Sequence, residues 1–170
     1  MIILNNIWDI PSGTRIIVDT NIFVYLTAPH PKFGPVCRDL VYRIESGDIR
    51  GCIPHPVLYE ILHRLMIEEV IRSGYAPEGI SAVRFLKNNP DTIKNMTLAW
   101  DVFSILRSIG FELIPDSPTT PDRTFHISRT CQLLSKDSAI AAIAQEAGVS
   151  HIATNDNDFT RVPFLTVWRP

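Results

Sequence analysis

The sequence predicts an α/β fold built on a parallel, doubly wound sheet, and three observations lead to this fold class. Residues 16–18 form a run of β-branched apolar residues without polar alternation, which is typical of a strand buried on both faces. The run ends abruptly at Asp19, and apolar residues at helical spacing follow it. Further short apolar segments alternate with helical patterns along the chain, as they do where right-handed helical crossovers join parallel strands.

Five strands and the helices between them can be placed in chain order. Short apolar runs bounded by turn signals predict strands at residues 16–18, 49–53, 111–114, 151–153 and 164–168. Helical spacing predicts a short helix after the first strand, a helix from residue 36 to near Gly47, and helices at 56–73, 77–87, 91–109, 124–134 and 137–147. The segment 115–122 contains three prolines and is predicted to be the most mobile loop.

Length and composition indicate one domain that spans residues 1–170. Within it, residues 1–14 form an apolar-rich lead-in that ends in a turn, and residues 77–109 form a helical hairpin insertion. The net charge of −2 excludes a generally basic nucleic-acid binder but leaves room for a local basic patch. No apolar run approaches the roughly 18 residues of a membrane span, and the N-terminus has no basic region. We therefore expect a cytoplasmic protein without a signal peptide or membrane association.

Carboxylates fall at four places where a predicted strand ends or a helix begins. They are Asp19 after the first strand, Glu60 in the first turns of the long helix, Asp137 at the start of the alanine-rich helix, and Asp156 with Asp158 after the fourth strand. Taken singly, each can be a helix cap, an acid that complements a helix dipole, or a turn residue. The carboxyl ends of the central strands of a doubly wound sheet meet in one crevice, however, so these acids are expected to lie together.

Four or five carboxylates in one crevice would repel each other strongly, and Lys136 is the only basic residue adjacent to any of them in sequence. Hard divalent cations relieve such repulsion, since Mg²⁺ and Mn²⁺ prefer carboxylate and water oxygens. A site of this kind suits metal-dependent hydrolysis of a phosphodiester bond. One or two ions hold the phosphate, activate a water molecule and stabilise the leaving oxygen.

Four segments together resemble the successive acidic motifs of PIN-domain ribonucleases, and in particular of the VapC-like toxins of type II toxin–antitoxin systems. They are VDTN at 18–21, YEIL at 59–62, KDSAIAAIA at 136–144 and TNDNDF at 154–159. The resemblance runs from about residue 15 to the end of the chain and includes the closing strand FLTVW. It implies a PIN-like three-layer α/β/α fold with a five-stranded parallel sheet, and a Mg²⁺- or Mn²⁺-dependent endoribonuclease.

The resemblance also implies roles for the acidic residues. Asp19, Glu60, Asp137 and Asp156 match the acidic quartet of the family, and Asp158 matches a frequent fifth acid. Asp19 and Asp137 are expected to be direct metal ligands, Asp156 a ligand directly or through water, and Asp158 a further ligand. Glu60 would bind or orient a metal-bound water molecule and help to deprotonate it.

Short polar and basic residues accompany the acids. Those expected to hold the acids in place or to contact a phosphate are Thr20, Asn21, Thr154 and Asn155. Structural capping explains each of these four equally well. Those expected to contact the RNA backbone are Arg64, Lys136 and Arg161. Single basic residues are usually just solvated, so this second expectation is the weaker one.

The expected partners are an RNA substrate, a cognate antitoxin protein and a second copy of the chain in a homodimer. The alternative is a PIN-like module that binds RNA or a protein partner without catalysis. A haloacid-dehalogenase-like phosphatase is disfavoured because it requires a second aspartate two residues after the first, where this chain has Asn21. A phospho-receiver domain is disfavoured because it requires a lysine at a later strand end, where this chain has an acid.

Overall fold

The computed structural model describes residues 5–27 and 30–170, and within these ranges it contains one parallel sheet with helices around it. The strands are β1 (Asn5–Asn6), β2 (Arg15–Val18), β3 (Arg50–Pro54), β4 (Glu112–Ile114), β5 (His151–Ala153) and β6 (Thr166–Arg169). They lie in the order β1-β6-β5-β2-β3-β4, and every neighbouring pair is parallel. The strand order therefore reverses between β2 and β5, which is where open α/β sheets form a ligand crevice.

Helices connect the strands, as the sequence predicted. In the described residues they are α1 (Thr20–Thr27), α2 (Gly34–Glu45), α3 (His55–Arg72), α4 (Gly79–Asn88), α5 (Asp91–Lys94), α6 (Leu98–Ser108), α7 (Thr120–Cys131) and α8 (Ser135–Glu146). Short 3₁₀ turns occur at Ile7–Asp9 and Asp158–Arg161. A search of the described part of the chain finds no helix with the length and apolar character needed to cross a membrane.

The core is built on both faces of β2. Ile16, Ile17 and Val18 are completely buried, so the interpretation of this run as a strand covered on both sides is confirmed. Ile17 lies in register with Cys52 of β3 and Ile152 of β5, and both of these are also completely buried. A strand fixed in this way gives the residue that follows it a well-defined position at the edge of the sheet.

The sheet has six strands in the described residues, and the prediction of five was wrong in this respect. The additional strand is β1, in which Asn5 lies opposite Trp168 and Asn6 lies opposite Arg169. Two asparagines carry no strand pattern, so the sequence did not indicate this strand. It forms because it pairs with backbone groups of β6 that would otherwise lie at an open edge, and because Ile7 just after it is buried. Residues 1–4 of the predicted lead-in lie outside the described residues.

The predicted helical hairpin at 77–109 is interrupted in its second arm. That arm consists of α5 and α6, and the interruption has a tertiary cause. The carboxylate of Glu69 on α3 accepts hydrogen bonds from the backbone N–H groups of Thr97 and Ala99, each at 2.8 Å. It thus satisfies donors that the first turn of α6 leaves free, and it complements the helix dipole there. A cap supplied by a different helix leaves no pattern in the local sequence.

Helix α7 begins earlier than predicted, inside the segment that was expected to be a loop. The carboxylate of Glu146 on α8 accepts hydrogen bonds from the hydroxyl groups of Ser117, Thr119 and Thr120 at 3.0, 2.8 and 2.6 Å. Arg123 Nε also donates to Glu146, at 3.2 Å. Burial opposes ionisation of Glu146, but these donors outweigh it and hold its pKa below the ordinary value. The side chain of Glu146 therefore joins the start of α7 to the end of α8.

Replacing Glu146 with glutamine is expected to lower the free energy of unfolding by about 2 kcal/mol near neutral pH, because a charged acceptor of several hydrogen bonds is lost. The folded-state pKa of Glu146 is lowered, so its contribution is present above the unfolded pKa and disappears as the pH falls through the folded pKa. The difference in melting temperature between wild type and variant should therefore shrink from about pH 7 to about pH 3. Glu45→Gln, at an exposed site on α2, is the control. A pH-independent difference would contradict this role for the charge.

Candidate active site

The acidic segments converge at the carboxyl edge of the sheet. Asp19 directly follows β2, residues 154–156 directly follow β5, and α3 and α8 begin near the same edge. A cavity of about 280 Å³ opens there. It is lined by Asp19, Thr20, Asn21, Val24, Tyr25, Glu60, Arg64, Lys136 and Asp156. The position at the reversal of strand order is the one expected for a ligand site in this class of fold.

Asp19 is held rigidly and is 5% exposed. Its Oδ1 accepts the backbone N–H of Thr20 at 2.7 Å. Its Oδ2 accepts hydrogen bonds from Asn21 Nδ2 at 2.7 Å and from Thr154 Oγ1 at 2.6 Å. Burial raises the pKa of Asp19, while the hydrogen bonds and the charge of Lys136 act in the opposite direction. A buried carboxylate of this kind gains from any additional positive charge in the cavity.

The short polar residues link the end of β2 to the end of β5. Asn21 Nδ2 donates to Thr154 Oγ1 at 2.8 Å, and the backbone N–H of Asn155 donates to Asn21 Oδ1 at 3.1 Å. The backbone N–H of Asp156 donates to Thr154 Oγ1 at 3.0 Å. Thr20 Oγ1 instead reaches across to α3 and donates to Glu60 Oε2 at 2.8 Å. Thr20, Asn21 and Thr154 therefore each form a hydrogen bond with an acid of the site. Asn155 forms one with Asn21, which in turn binds Asp19.

Glu60 and Lys136 form an ion pair, with Lys136 Nζ 2.7 Å from Glu60 Oε2. Arg64 Nη2 lies 3.8 Å from Glu60 Oε1 on the same helix. Burial acts to raise the pKa of Glu60, but the hydrogen bonds from Lys136 and Thr20 outweigh it, and the pKa is lowered. Burial likewise acts to lower the pKa of Lys136, and the bond to Glu60 reverses this, so that the pKa is raised. Both groups are therefore ionised at neutral pH.

The charges of neighbouring acids affect the pKa of Asp137. Burial raises the pKa of Asp137, and the charges of Asp156, Asp158 and Glu60 raise it further, whereas Lys136 lowers it. Asp137 is 8% exposed. Asp137 is therefore close enough to acids from other parts of the chain for their negative charges to oppose its ionisation.

Five of the predicted site residues do not line the cavity in the described part of the chain, namely Asp137, Thr154, Asn155, Asp158 and Arg161. Thr154 and Asn155 are nevertheless joined to lining residues by hydrogen bonds. Arg161 Nη2 pairs with Asp158 Oδ2 at 2.9 Å, and both side chains are about two-fifths exposed. The backbone N–H of Asp158 donates to Asp156 Oδ1 at 2.9 Å, which shapes the turn after β5. The charge of Arg161 is thus directed to a neighbouring acid.

Tyr25 lines the cavity, although the sequence analysis did not select it. Its hydroxyl oxygen accepts a hydrogen bond from Asn155 Nδ2 at 2.9 Å. Its ring packs beside His30 and Phe33, with centroid distances of 5.2 and 5.0 Å. The sequence could have indicated Tyr25 as a site residue, because it follows Asn21 by four positions on α1 and so lies on the same helical face.

The chemistry of the donors fits a hard divalent cation. The cluster offers carboxylate oxygens from Asp19, Glu60, Asp137 and Asp156, whose charges repel each other, and such cations prefer oxygen ligands. The arrangement is not a closed ligand set: no three His, Cys, Asp or Glu side chains of the described residues converge as a metal site. Positive charge next to these acids comes from the ammonium group of Lys136 and from the guanidinium group of Arg64.

Comparison with known protein families identifies the relationship. The model of the PIN domain family matches residues 16–165. The chain belongs to the PIN domain family. The match begins inside β2 and ends just before β6, so this PIN domain contains every acid of the cluster. The family resemblance seen in the four acidic segments is thereby confirmed.

Solved structures with the same fold come from several bacteria. One is a chain from the structure of Rickettsia felis VapBC2 bound to a DNA fragment from the VapBC2 promoter. It shows 17% identity and a TM-score of 0.57, and the match covers 92% of this chain and 99% of that chain. Another is FitAcB from Neisseria gonorrhoeae, with 16% identity, a TM-score of 0.53, and coverage of 90% and 96%. A third is a toxin–antitoxin complex from Klebsiella pneumoniae, with 16% identity, a TM-score of 0.50, and coverage of 89% and 95%. No curated protein matches the chain. These similarities establish the fold.

Proposed function

We propose that this PIN domain is a Mg²⁺- or Mn²⁺-dependent endoribonuclease that hydrolyses phosphodiester bonds of RNA at its acidic cluster. The observation that carries the proposal is the buried carboxylate of Asp19, which shares a cavity with Glu60 and Asp156 at the reversal of strand order. A soluble scaffold protein has no need to place several acids against each other in this way, because their repulsion costs stability.

Each acid has a distinct part in the proposed reaction. Asp19, Asp137 and Asp156 would hold the metal. Asp158 would be a further ligand if its carboxylate exchanged its contact with Arg161 for the metal. A metal held there would supply a Lewis acid for the phosphate oxygens and would lower the pKa of a bound water molecule. Glu60 would orient the attacking water and accept its proton.

Neighbouring side chains would position these groups. Asn21 and Thr154 fix the orientation of Asp19, and Thr20 does the same for Glu60. Arg64 lines the cavity with a side chain that is 59% exposed, so its guanidinium group can reach a phosphate of the RNA backbone. Asn155 would position Tyr25, which lines the cavity and accepts a hydrogen bond from the Asn155 amide.

We further propose that the chain is the toxin of a toxin–antitoxin pair. The support is its PIN domain together with the fold it shares with chains from a VapBC2 complex and a toxin–antitoxin complex. The proposed protein partners are accordingly a cognate antitoxin and a second copy of the chain. Co-expression with the product of an adjacent reading frame, followed by size-exclusion chromatography, tests both.

The nuclease proposal predicts that Asp137→Asn reduces cleavage of a mixed RNA pool by about 100-fold or more, because the neutral amide is a poor ligand for a hard cation. Wild type should cleave with Mg²⁺ or Mn²⁺ and stop when EDTA is added. The control is Asp122→Asn, at an exposed site on α7, which should cleave as wild type does.

The same samples can be heated with and without Mn²⁺ to measure the melting temperature. Metal binding should raise the melting temperature of wild type and of the control, because a ligand bound to the folded state stabilises it. If wild type neither cleaves RNA nor gains stability from Mn²⁺, the alternative of a PIN-like module that binds a partner without catalysis is favoured.

A further inference from the structure

The ammonium group of Lys136 occupies a central place in the acidic cluster. Its Nζ lies 2.7 Å from Glu60 Oε2 and 3.9 Å from Asp137 Oδ1, and its charge also acts on Asp19. We propose that Lys136 is a built-in counter-ion of the metal-free protein, which competes with the divalent cation for these carboxylates and leaves them when the metal binds. This inference rests on the proposed metal-dependent function.

The position of Lys136 in its helix is unfavourable without the acids. It is the second residue of α8, where the helix dipole presents partial positive charge and disfavours a cation. The acids of the other elements therefore account for its orientation. Glu60, which is 76 positions away in sequence, gives the shortest of these contacts.

The ion pair occupies one of the two carboxylate oxygens of Glu60, the residue proposed to accept the proton of the attacking water. Glu60 Oε2 accepts hydrogen bonds from both Lys136 Nζ and Thr20 Oγ1, at 2.7 and 2.8 Å. Oε2, with two donors at these distances, has little capacity left for a metal-bound water molecule, whereas Oε1 has only Arg64 Nη2 at 3.8 Å. A water molecule that binds at Oε2 requires one donor to leave, and a divalent cation competes with the Lys136 charge for the carboxylate in either case. The buried backbone holds Thr20 in place, so Lys136 is the donor that can move.

The side chain of Lys136 is able to leave without disturbing the core. It is 44% exposed, whereas Glu60 is 20% exposed. A lysine has a flexible four-carbon stem and a strongly hydrated charge, so rotation into solvent costs little.

The test is the affinity of the metal itself, measured by isothermal titration calorimetry with Mn²⁺ in the absence of RNA. Lys136→Gln is expected to bind Mn²⁺ about tenfold more tightly than wild type, because the competing charge is gone. Lys136→Arg retains the charge and should bind within about threefold of wild type. Lys87→Gln, at an exposed position of α4, controls for the change in net charge and should also match wild type.

A double variant separates competition at Glu60 from a general charge effect. If the ammonium competes mainly through Glu60, Lys136→Gln should tighten Mn²⁺ binding less in a Glu60→Gln background than in wild type. An equal gain in both backgrounds would overturn the part of the proposal that assigns the competition to Glu60.

The outcomes distinguish this inference from the proposed function. Equal or weaker Mn²⁺ binding by Lys136→Gln, with measurable binding by wild type, overturns the inference and leaves the metal-dependent function standing. A lower melting temperature of metal-free Lys136→Gln without any gain in Mn²⁺ affinity would show a purely structural ion pair, which also overturns it. If neither wild type nor Lys136→Gln binds Mn²⁺, both the inference and the proposed function fail.

Discussion

Asp19→Asn is expected to reduce RNA cleavage by about 1,000-fold or more in the presence of Mg²⁺ or Mn²⁺. Asp19 follows the central strand, is 5% exposed and lines the cavity together with Glu60 and Asp156. Asparagine has nearly the same shape but lacks the charge that a divalent cation requires. The Mn²⁺-dependent rise in melting temperature should disappear together with the cleavage.

The fold of the Asp19→Asn variant should survive, which keeps this experiment interpretable. An asparagine Oδ1 can still accept the backbone N–H of Thr20. The new amide loses the two hydrogen bonds from Asn21 and Thr154, because Thr154 Oγ1 already accepts from Asn21 and from the backbone N–H of Asp156. We therefore expect a loss of about 2 kcal/mol in the free energy of unfolding.

Two measurements complete the Asp19 experiment. Circular dichroism should show a folded variant, and Asp39→Asn, at an exposed position of α2, should cleave RNA as wild type does. Cleavage by Asp19→Asn at the wild-type rate would rule out a site centred on this carboxylate.

Phe159→Ala is expected to lower the free energy of unfolding by about 4 kcal/mol, which corresponds to a drop of about 10 °C in melting temperature. Phe159 is completely buried and lies in the 3₁₀ turn that follows the acidic residues after β5. Truncation to alanine removes buried apolar surface and leaves a cavity that this packed region cannot fill completely.

The same substitution should also weaken Mn²⁺ binding, because Phe159 anchors the segment that carries Asp156 and Asp158. Thermal unfolding and titration calorimetry measure the two effects. The matched control is Phe125→Ala on α7, where the side chain is 65% exposed and the change in the free energy of unfolding should stay below about 1 kcal/mol. Equal stability losses for the two variants would contradict the proposed anchoring role.

Much of the fold was predictable because its signals are local. The apolar run of β2, the helical stripe of α3 and the alanine-rich α8 each carry a pattern that secondary structure imposes on nearby residues. The features that were missed depend on distant partners. β1 exists because it pairs with β6, and α6 begins where Glu69 of α3 caps it.

The sequence by itself determined that acids follow the buried strands and begin the helices, because strand ends and helix starts can be recognised from neighbouring residues. It thereby identified Asp19, Glu60, Asp137 and Asp156 as one group before any contact was known. Their order along the chain also carried the family resemblance, which the match to the PIN domain confirmed.

Only the tertiary structure decided which partner each acid has. Thr154 binds Asp19 across 135 positions of sequence, and Lys136 binds Glu60 across 76. From the sequence, Lys136 was expected only weakly to contact the RNA backbone, and the fold adds close contacts of its ammonium group with Glu60 and Asp137. The physical reason is that a charged side chain is oriented by the sum of the charges around it in space. That sum is set by how α3, α8 and the ends of β2 and β5 pack together.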